Sequence, residues 1–428
     1  MTAPKKPARH LQPSDLHAVV RLATDATHGV TGIVEGVHRS VLDTLGAPGG
    51  AAPGRTSGIT GLVYRSIGAA TQLVGQGLDA ALVRLLPLLA ADGDAPATPE
   101  REAVLAALNG VMGDRLAASG NPLATRMSLR WQGRPVDVQA LPPLPGAGGR
   151  LLLTLHGLCM NELQWQARHE GRPVDHGQAL AAALDATALN LRYNSGLHVS
   201  QNGHELSARL EQLVANWPCA LEQISVLAHS MGGLVIRSAI ETARHQGLKW
   251  PELVKHIVFL GTPHHGAPLE RAGNWVDVVL GSTPYSAPFA RLGQLRSAGI
   301  TDLRYGLVLD SDWHGHDRFR RQPDRRTPVP LPHGVACFTL AATTAAQRSA
   351  LADRLLGDGL VPLHSALGEH DEPARCLLFP QDRQFIAYRM SHLELLSRPE
   401  VTRQLLQWLP GIAAEPGAPP RVRLRHER

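Results

Sequence analysis

The sequence predicts an α/β fold, a mostly parallel central sheet with helices on both faces. Three observations carry that expectation. Six short, largely apolar runs, at 151–155, 187–191, 224–227, 257–260, 336–340 and 376–379, alternate with helical patterns near 178–184, 204–215, 231–245 and 345–356. Such repeats form parallel strands joined by right-handed crossovers and buried on both sides. A hairpin signal precedes them: 127–131 and 135–138 flank Gln132-Gly133, and a Pro/Gly-rich loop follows over 142–149. Finally, Ser230 stands where the run 224–227 gives way to a helical stretch, in Val226-Leu-Ala-His-Ser-Met-Gly-Gly233.

That last context is a nucleophile elbow, a tight strand-to-helix turn that lifts a serine hydroxyl off the sheet. Small residues two positions either side, here Ala228 and Gly232, let the backbone fold closely. Ala228 stands where glycine is usual, so this turn must accept one methyl group.

Residues 1–120 read as an amphipathic helical extension. Leu16, Val19, Val20, Ala23, Val30, Ile33, Val34, Val37 and Val41 step by threes and fours, after Ser14 and before Gly46. A Gly/Pro/Ala linker over 46–58 leads to a second stripe through Ile59, Leu62, Val63, Ile67, Val74, Leu78, Leu82 and Leu85. A third helix over 99–118 has Pro99 in its first turn. Packing on the protein and contact with a lipid surface or partner need the same stripe, so both readings stand. The main domain is expected over 121–410. Its long insertion at about 264–334 carries Trp275, Tyr285, Phe289, Trp313 and Phe319 and is expected to act as a cap or lid. A basic flexible tail, 411–428, closes the chain.

Composition narrows the function. With 428 residues and 43% hydrophobic content the chain can bury a large core. Four cysteines far apart, with no CxxC pair, argue against a zinc site or a disulfide framework. No continuous apolar segment of a secretory signal is visible, and the most apolar stretch, 78–91, is short and broken by Asp79, Arg84 and Pro87. A cytoplasmic protein without a transmembrane span is expected, with peripheral contact to a lipid surface left open. Net charge is +5, and arginines gather in 318–326 and 421–428 without interleaved aromatics, so nucleic acid is not an expected partner. His314, His316 and Asp317 read as exposed loop residues, and no metal or other cofactor is expected.

Four pieces of sequence together point to a family. Leu151-Leu-Leu-Thr-Leu-His156-Gly157, Leu227-Ala-His-Ser230-Met-Gly-Gly, Gly261-Thr-Pro-His264-His265-Gly266 and Asp358-Gly-Leu-Val-Pro362 resemble the bacterial lipase and esterase branch of the α/β-hydrolase superfamily, over about residues 124–409. The resemblance implies the α/β-hydrolase fold and a triad in the chain order Ser, Asp, His. Ser230 is then the nucleophile, and His392, placed after the expected last strand, the base, ahead of His364. Asp358 is the preferred acid, with Asp310 and Asp312 as alternatives. The resemblance assigns the oxyanion donors to the backbone N–H groups of Leu158 and Met231, with His156, Gly157, His229, Gly232 and His264 supporting the site. Cleavage of a carboxylic ester is the expected activity, with an acyl ester as substrate and a lipid among the candidates. Acyl transfer or thioester cleavage by the same triad stands as an alternative. So does a non-catalytic lipid- or partner-binding protein on the same fold. Oligomeric state is not legible.

Overall fold

The computed structural model describes residues 99–267, 296–318, 323–346 and 357–409. The helices expected in 14–45 and 59–85, the tail 411–428, most of the helix expected at 345–356, and stretches 268–295 and 319–322 of the expected cap lie outside the described residues. The chain divides into two compact units. One contains 99–105 and 115–125, the other 106–114 and the described residues from Arg126 onward.

Helix α1 (Pro99–Ala118) is the third helix expected from sequence. In the first unit, Gly120, with φ 61°, ends it, and the Asn121 N–H returns to the Leu116 carbonyl at 2.8 Å. That bond satisfies one of the carbonyls a helix C-terminus leaves open.

The second unit is built on an eight-stranded sheet. Its strands are β1 (Ser128–Trp131), β2 (Arg134–Val136), β3 (Arg150–Leu155), β6 (Thr187–Arg192), β7 (Gln223–His229), β8 (Val254–Leu260), β9 (Ala336–Thr343) and β10 (Gln384–Tyr388). Their order across the sheet is β10-β9-β8-β7-β3-β6-β1-β2. β1 runs antiparallel to β2 and β6, and the other neighbours are parallel. A small hairpin, β4 (Ala167–His169) with β5 (Arg172–Val174), stands apart. This is the mixed, mostly parallel α/β architecture that the sequence predicts, with the hairpin at one edge.

Both faces of the sheet are covered, and side chains alternate between them as a strand period of two requires. Leu151, Leu153, Val226, Ile257 and Phe259 share a core with helices α3 (Val199–Ala215) and α4 (Met231–Gln246). Leu152, Leu227, Val258 and Leu260 face the other way, toward α2 (His176–Leu184) and α7 (Pro399–Trp408). His176 ties those two helical regions together. Its Nε2 donates to the Leu395 carbonyl at 3.0 Å, which leaves Nδ1 to accept from the Thr402 hydroxyl at 2.8 Å.

One expected strand is corrected. Residues 376–379 form no strand, and the last strand is β10, five residues further on. Pro380 follows the run and has no N–H to give a ladder. Leu377 and Phe379 instead turn inward while Leu378, 85% exposed, turns out, and the Leu377 N–H bonds the Gly368 carbonyl.

The strand order also contains a reversal. From β3 the chain crosses to β6 on one side, then returns to β7 on the other side of β3. Loops leaving the carboxyl ends of β3 and β7 therefore diverge and open a crevice, where α/β sheets bind ligands.

Close packing of α3 on α4 depends on Gly203. A Cβ there would lie 2.6 Å from Ser238 Cβ and 3.0 Å from the Ala239 nitrogen. Alanine favours a helix over glycine by about 1 kcal/mol, but overpacking of this kind costs about 1–3 kcal/mol. Gly203→Ala should therefore lower the stability measured by urea denaturation; an increase would mean that the two helices can separate freely.

Candidate active site

Ser230 follows β7 and caps α4 with φ 53° and ψ −123°, a conformation L-residues avoid. Holding it costs on the order of 1–3 kcal/mol, and the surroundings enforce it. The Ser230 N–H bonds the Leu260 carbonyl at 2.8 Å, and its carbonyl accepts from the Gly233 N–H at 3.0 Å. Gly232 permits the turn: a Cβ there would stand 2.8 Å from the Leu155 and His156 carbonyl oxygens. Ala228 is fully buried and its methyl joins the core, so the turn accepts the larger residue.

The loop after β3 lies against this turn. A Cβ on Gly157 would be 3.1 Å from Ser230 Cβ and from His229 Nδ1. His156 braces the loop. Its Nδ1 donates to the Gly157 carbonyl at 2.8 Å, its Nε2 accepts from the Tyr193 N–H at 3.3 Å, and its ring stacks on Tyr193 with centroids 4.2 Å apart. The Tyr193 hydroxyl donates to the His156 carbonyl at 2.7 Å. Both ring nitrogens are occupied and burial pushes the pKa down to about 4, so His156 is a neutral brace. The Leu158 N–H makes no hydrogen bond among the described residues. Met231 opens α4, where an N–H has no acceptor within the helix.

His392 and Asp358 are brought together from distant positions. His392 Nδ1 and Asp358 Oδ2 are 2.6 Å apart, both residues buried. Asp358 Oδ1 accepts from the Leu360 and Val361 N–H groups at 3.0 and 2.7 Å, and the Asp358 carbonyl accepts from the His392 N–H at 3.1 Å. Two backbone donors thus fix the carboxylate, which fixes the imidazole with its proton on Nδ1 and a lone pair on Nε2. The His392 ring meets His229 with centroids 4.8 Å apart, and a Cβ on Gly261, next to Leu260, would lie 3.0 Å from His392 Cε1. Ser230 Oγ and His392 Nε2 are each buried without a hydrogen-bond partner. A hydroxyl donor and an imidazole acceptor left unpaired in one neighbourhood can exchange a proton with a bound reactant.

Other candidates lie elsewhere. Asp310 begins a short turn and its carboxylate faces His204 at 3.4 Å, both about half exposed. His264 is buried among Phe259, Phe379 and Arg237, with its carbonyl held by Arg326 at 2.8 Å, so it anchors the turn after β8. His364 sits on the one-turn helix α6 (Leu363–Ala366). Among the described residues, no group of three or more His, Cys, Asp or Glu is arranged to hold a metal, and no helix is long and apolar enough to cross a membrane.

Sequence reasoning missed the clamp behind the loop after β3. Glu162, 3% exposed in its side chain, is gripped by Arg192 at 2.6 Å and Arg130 at 2.8 Å. Burial works to raise its pKa, but the bonds and charges of Arg192 and Arg130 outweigh it and hold the carboxyl below its ordinary value. No spacing rule links these three positions, so nothing in the sequence marked them.

Comparison with known proteins adds context. Residues 123–302 match a family model described as a domain of unknown function, DUF7379. The chain is 30% identical over 178 residues to Muellerian-inhibiting factor from Bos taurus, covering 40% of this chain and 26% of that protein. It therefore spans about a quarter of the length of that relative. Among solved structures, Bacillus licheniformis lipase BlEst2 in mature form is 19% identical, with 67% of this chain and 98% of that one covered at a TM-score of 0.38. Aspergillus fumigatus lipase B is 11% identical, with 64% and 54% covered at 0.37. Legionella pneumophila phospholipase PlaB is 14% identical, with 51% and 46% covered at 0.33.

Buried neutral histidines give stability a pH dependence. Burial holds His156 and His176 at about 4, and burial together with the His392 charge holds His229 well below its ordinary value. The unfolded chain therefore binds more protons than the native one below about 6.5, the ordinary histidine value. This contribution is fully present above that pH and is lost as pH falls toward 4. Thermal melts should show the melting temperature falling between pH 7 and 5; an unchanged value would contradict neutral burial.

Proposed function

We propose that the chain is a serine hydrolase of carboxylic esters, a lipase or esterase working through an acyl-enzyme on Ser230. The observation that carries the reading is the pairing of Asp358 with His392 Nδ1 while His392 Nε2 and Ser230 Oγ are left buried and unpartnered. Unpaired buried polar atoms cost about 1–3 kcal/mol each, a cost that a substrate in transit offsets.

Each step follows from the atoms in place. His392 Nε2 takes the Ser230 proton as Oγ attacks the ester carbonyl carbon, and Asp358 stabilises the resulting imidazolium. The Leu158 and Met231 N–H groups receive the negative charge that develops on the carbonyl oxygen. Collapse of the tetrahedral intermediate returns the proton from His392 to the departing alcohol. Water then enters and gives a proton to His392 as its oxygen attacks the acyl carbon, and collapse of the second tetrahedral intermediate returns that proton to Ser230 Oγ as the acid leaves. His156 and the Glu162 clamp hold the loop that carries Leu158, which keeps the donor pre-aimed. The His392 position, the bend at Ser230 and the crevice between the loops after β3 and β7 all support this reading.

Hydrolysis of p-nitrophenyl esters tests it. Ser230→Ala should leave a folded protein without turnover. Asp358→Asn should lower kcat by about 10⁴-fold, as removal of the carboxylate does in serine proteases. Asp310→Asn should change little. Wild-type turnover by Ser230→Ala would remove Ser230 from the reaction, and a reversed ranking of the two aspartates would move the acid to Asp310.

A further inference from the structure

The amino-terminal rim of the sheet carries a groove of about 720 Å³ that the ester chemistry does not use. Arg150, Gln223, Lys255, His256 and Arg383 line it, at or near the starts of β3, β7, β8 and β10, and none of its described lining residues is acidic. Leu184 and Leu409 supply an apolar flank. β7 runs from Gln223 in the groove to His229 beside Ser230, and seven residues at about 3.3 Å each put roughly 20 Å between the two sites.

The cations here contact neutral groups. Arg150 donates to the Leu184 carbonyl at 3.1 Å, Lys255 to the Glu252 carbonyl at 2.8 Å, and Arg383 lies 5.5 Å over the Phe338 ring. None of the three pairs with a carboxylate among the described residues. Asp185, Glu222, Glu252 and Asp382, acidic residues close in sequence to the lining, do not themselves line the groove. His256 Nδ1 lies 3.1 Å from Ser225 Oγ and 3.3 Å from Gln223 Nε2. The amide nitrogen can only donate, so Nδ1 accepts and the ring presents Nε2–H as a further donor. Burial, then the charges of Arg383 and Lys255, hold the His256 pKa low, as a positive potential focused in a recess would.

We propose that this groove binds an anionic, phosphate-bearing ligand. Three cations at the starts of separate strands match a spread anion better than a single carboxylate, and guanidinium groups recognise phosphate oxygens in pairs. The same chemistry is offered by a soluble phosphorylated small molecule and by an anionic phospholipid headgroup.

Calorimetric titration of the full chain with inorganic tripolyphosphate, and flotation with phosphatidylglycerol against phosphatidylcholine vesicles, test the proposal and separate the two sources. Saturable binding to either probe should weaken about tenfold in Lys255→Gln and in Arg383→Gln, the scale of one charge-assisted hydrogen bond. It should also fall as ionic strength rises. Binding to tripolyphosphate identifies a soluble ligand, and binding to phosphatidylglycerol vesicles alone identifies the headgroup. Both variants should melt like the wild type and keep its ester turnover, since the groove is remote from Ser230. Absence of binding to both probes, or binding unchanged in both variants, would overturn the proposal.

Discussion

A serine held at φ 53° has no reason to persist unless its neighbours leave the backbone no alternative. Here the restraint comes from both sides of the turn. Leu260 accepts the Ser230 N–H, and the start of α4 is pressed so close to Leu155 and His156 that only glycine fits at position 232. Burial of Leu227, Ala228, Leu234 and Val235 in the flanking cores holds β7 and α4 in place, so the energy that stabilises the sheet also sustains the strained turn. The same contact delivers the loop after β3 to the serine. The crevice, the strained turn at Ser230 and the nearness of the loop after β3 are thus consequences of one strand reversal and one close approach.

Around that turn, histidines are sorted by their partners. His156 and His176 have both ring nitrogens engaged and serve as neutral braces. His264 anchors a turn against Phe259 and Arg237. His392 differs because a carboxylate holds one nitrogen while the other is left buried and unpaired. That asymmetry is what the proposed proton transfer requires of His392, and residue type alone does not reveal it.

Much of the fold was legible because strands buried on both faces read as short apolar runs. The runs at 151–155, 187–191, 224–227, 257–260 and 336–340 each lie within an observed strand. The run 376–379 misled for the same reason: it is apolar, but Pro380 ends it, and its alternating Leu377 and Phe379 plug the core from a loop. Gln384–Tyr388, set behind charged residues, looked less like a strand yet pairs in parallel with β9. The positions proposed for the reaction were legible by a different route. Ser230 was marked by its local turn chemistry, Asp358 by the resemblance of its loop to a family motif, and His392 by order along the chain. Their 2.6 Å contact, 34 residues apart, is a tertiary fact. Glu162, Arg192 and Arg130 meet across 30 or more residues with no periodicity to announce them.

The central claim is that Ser230 is a nucleophile made reactive by His392. Intact-protein and peptide mass spectrometry after treatment with a fluorophosphonate probe tests it most directly. The account predicts one adduct per chain, located on Ser230, formed rapidly by the wild type and lost or greatly slowed in His392→Ala. Labelling at another residue, or equal labelling rates in the wild type and His392→Ala, would contradict it.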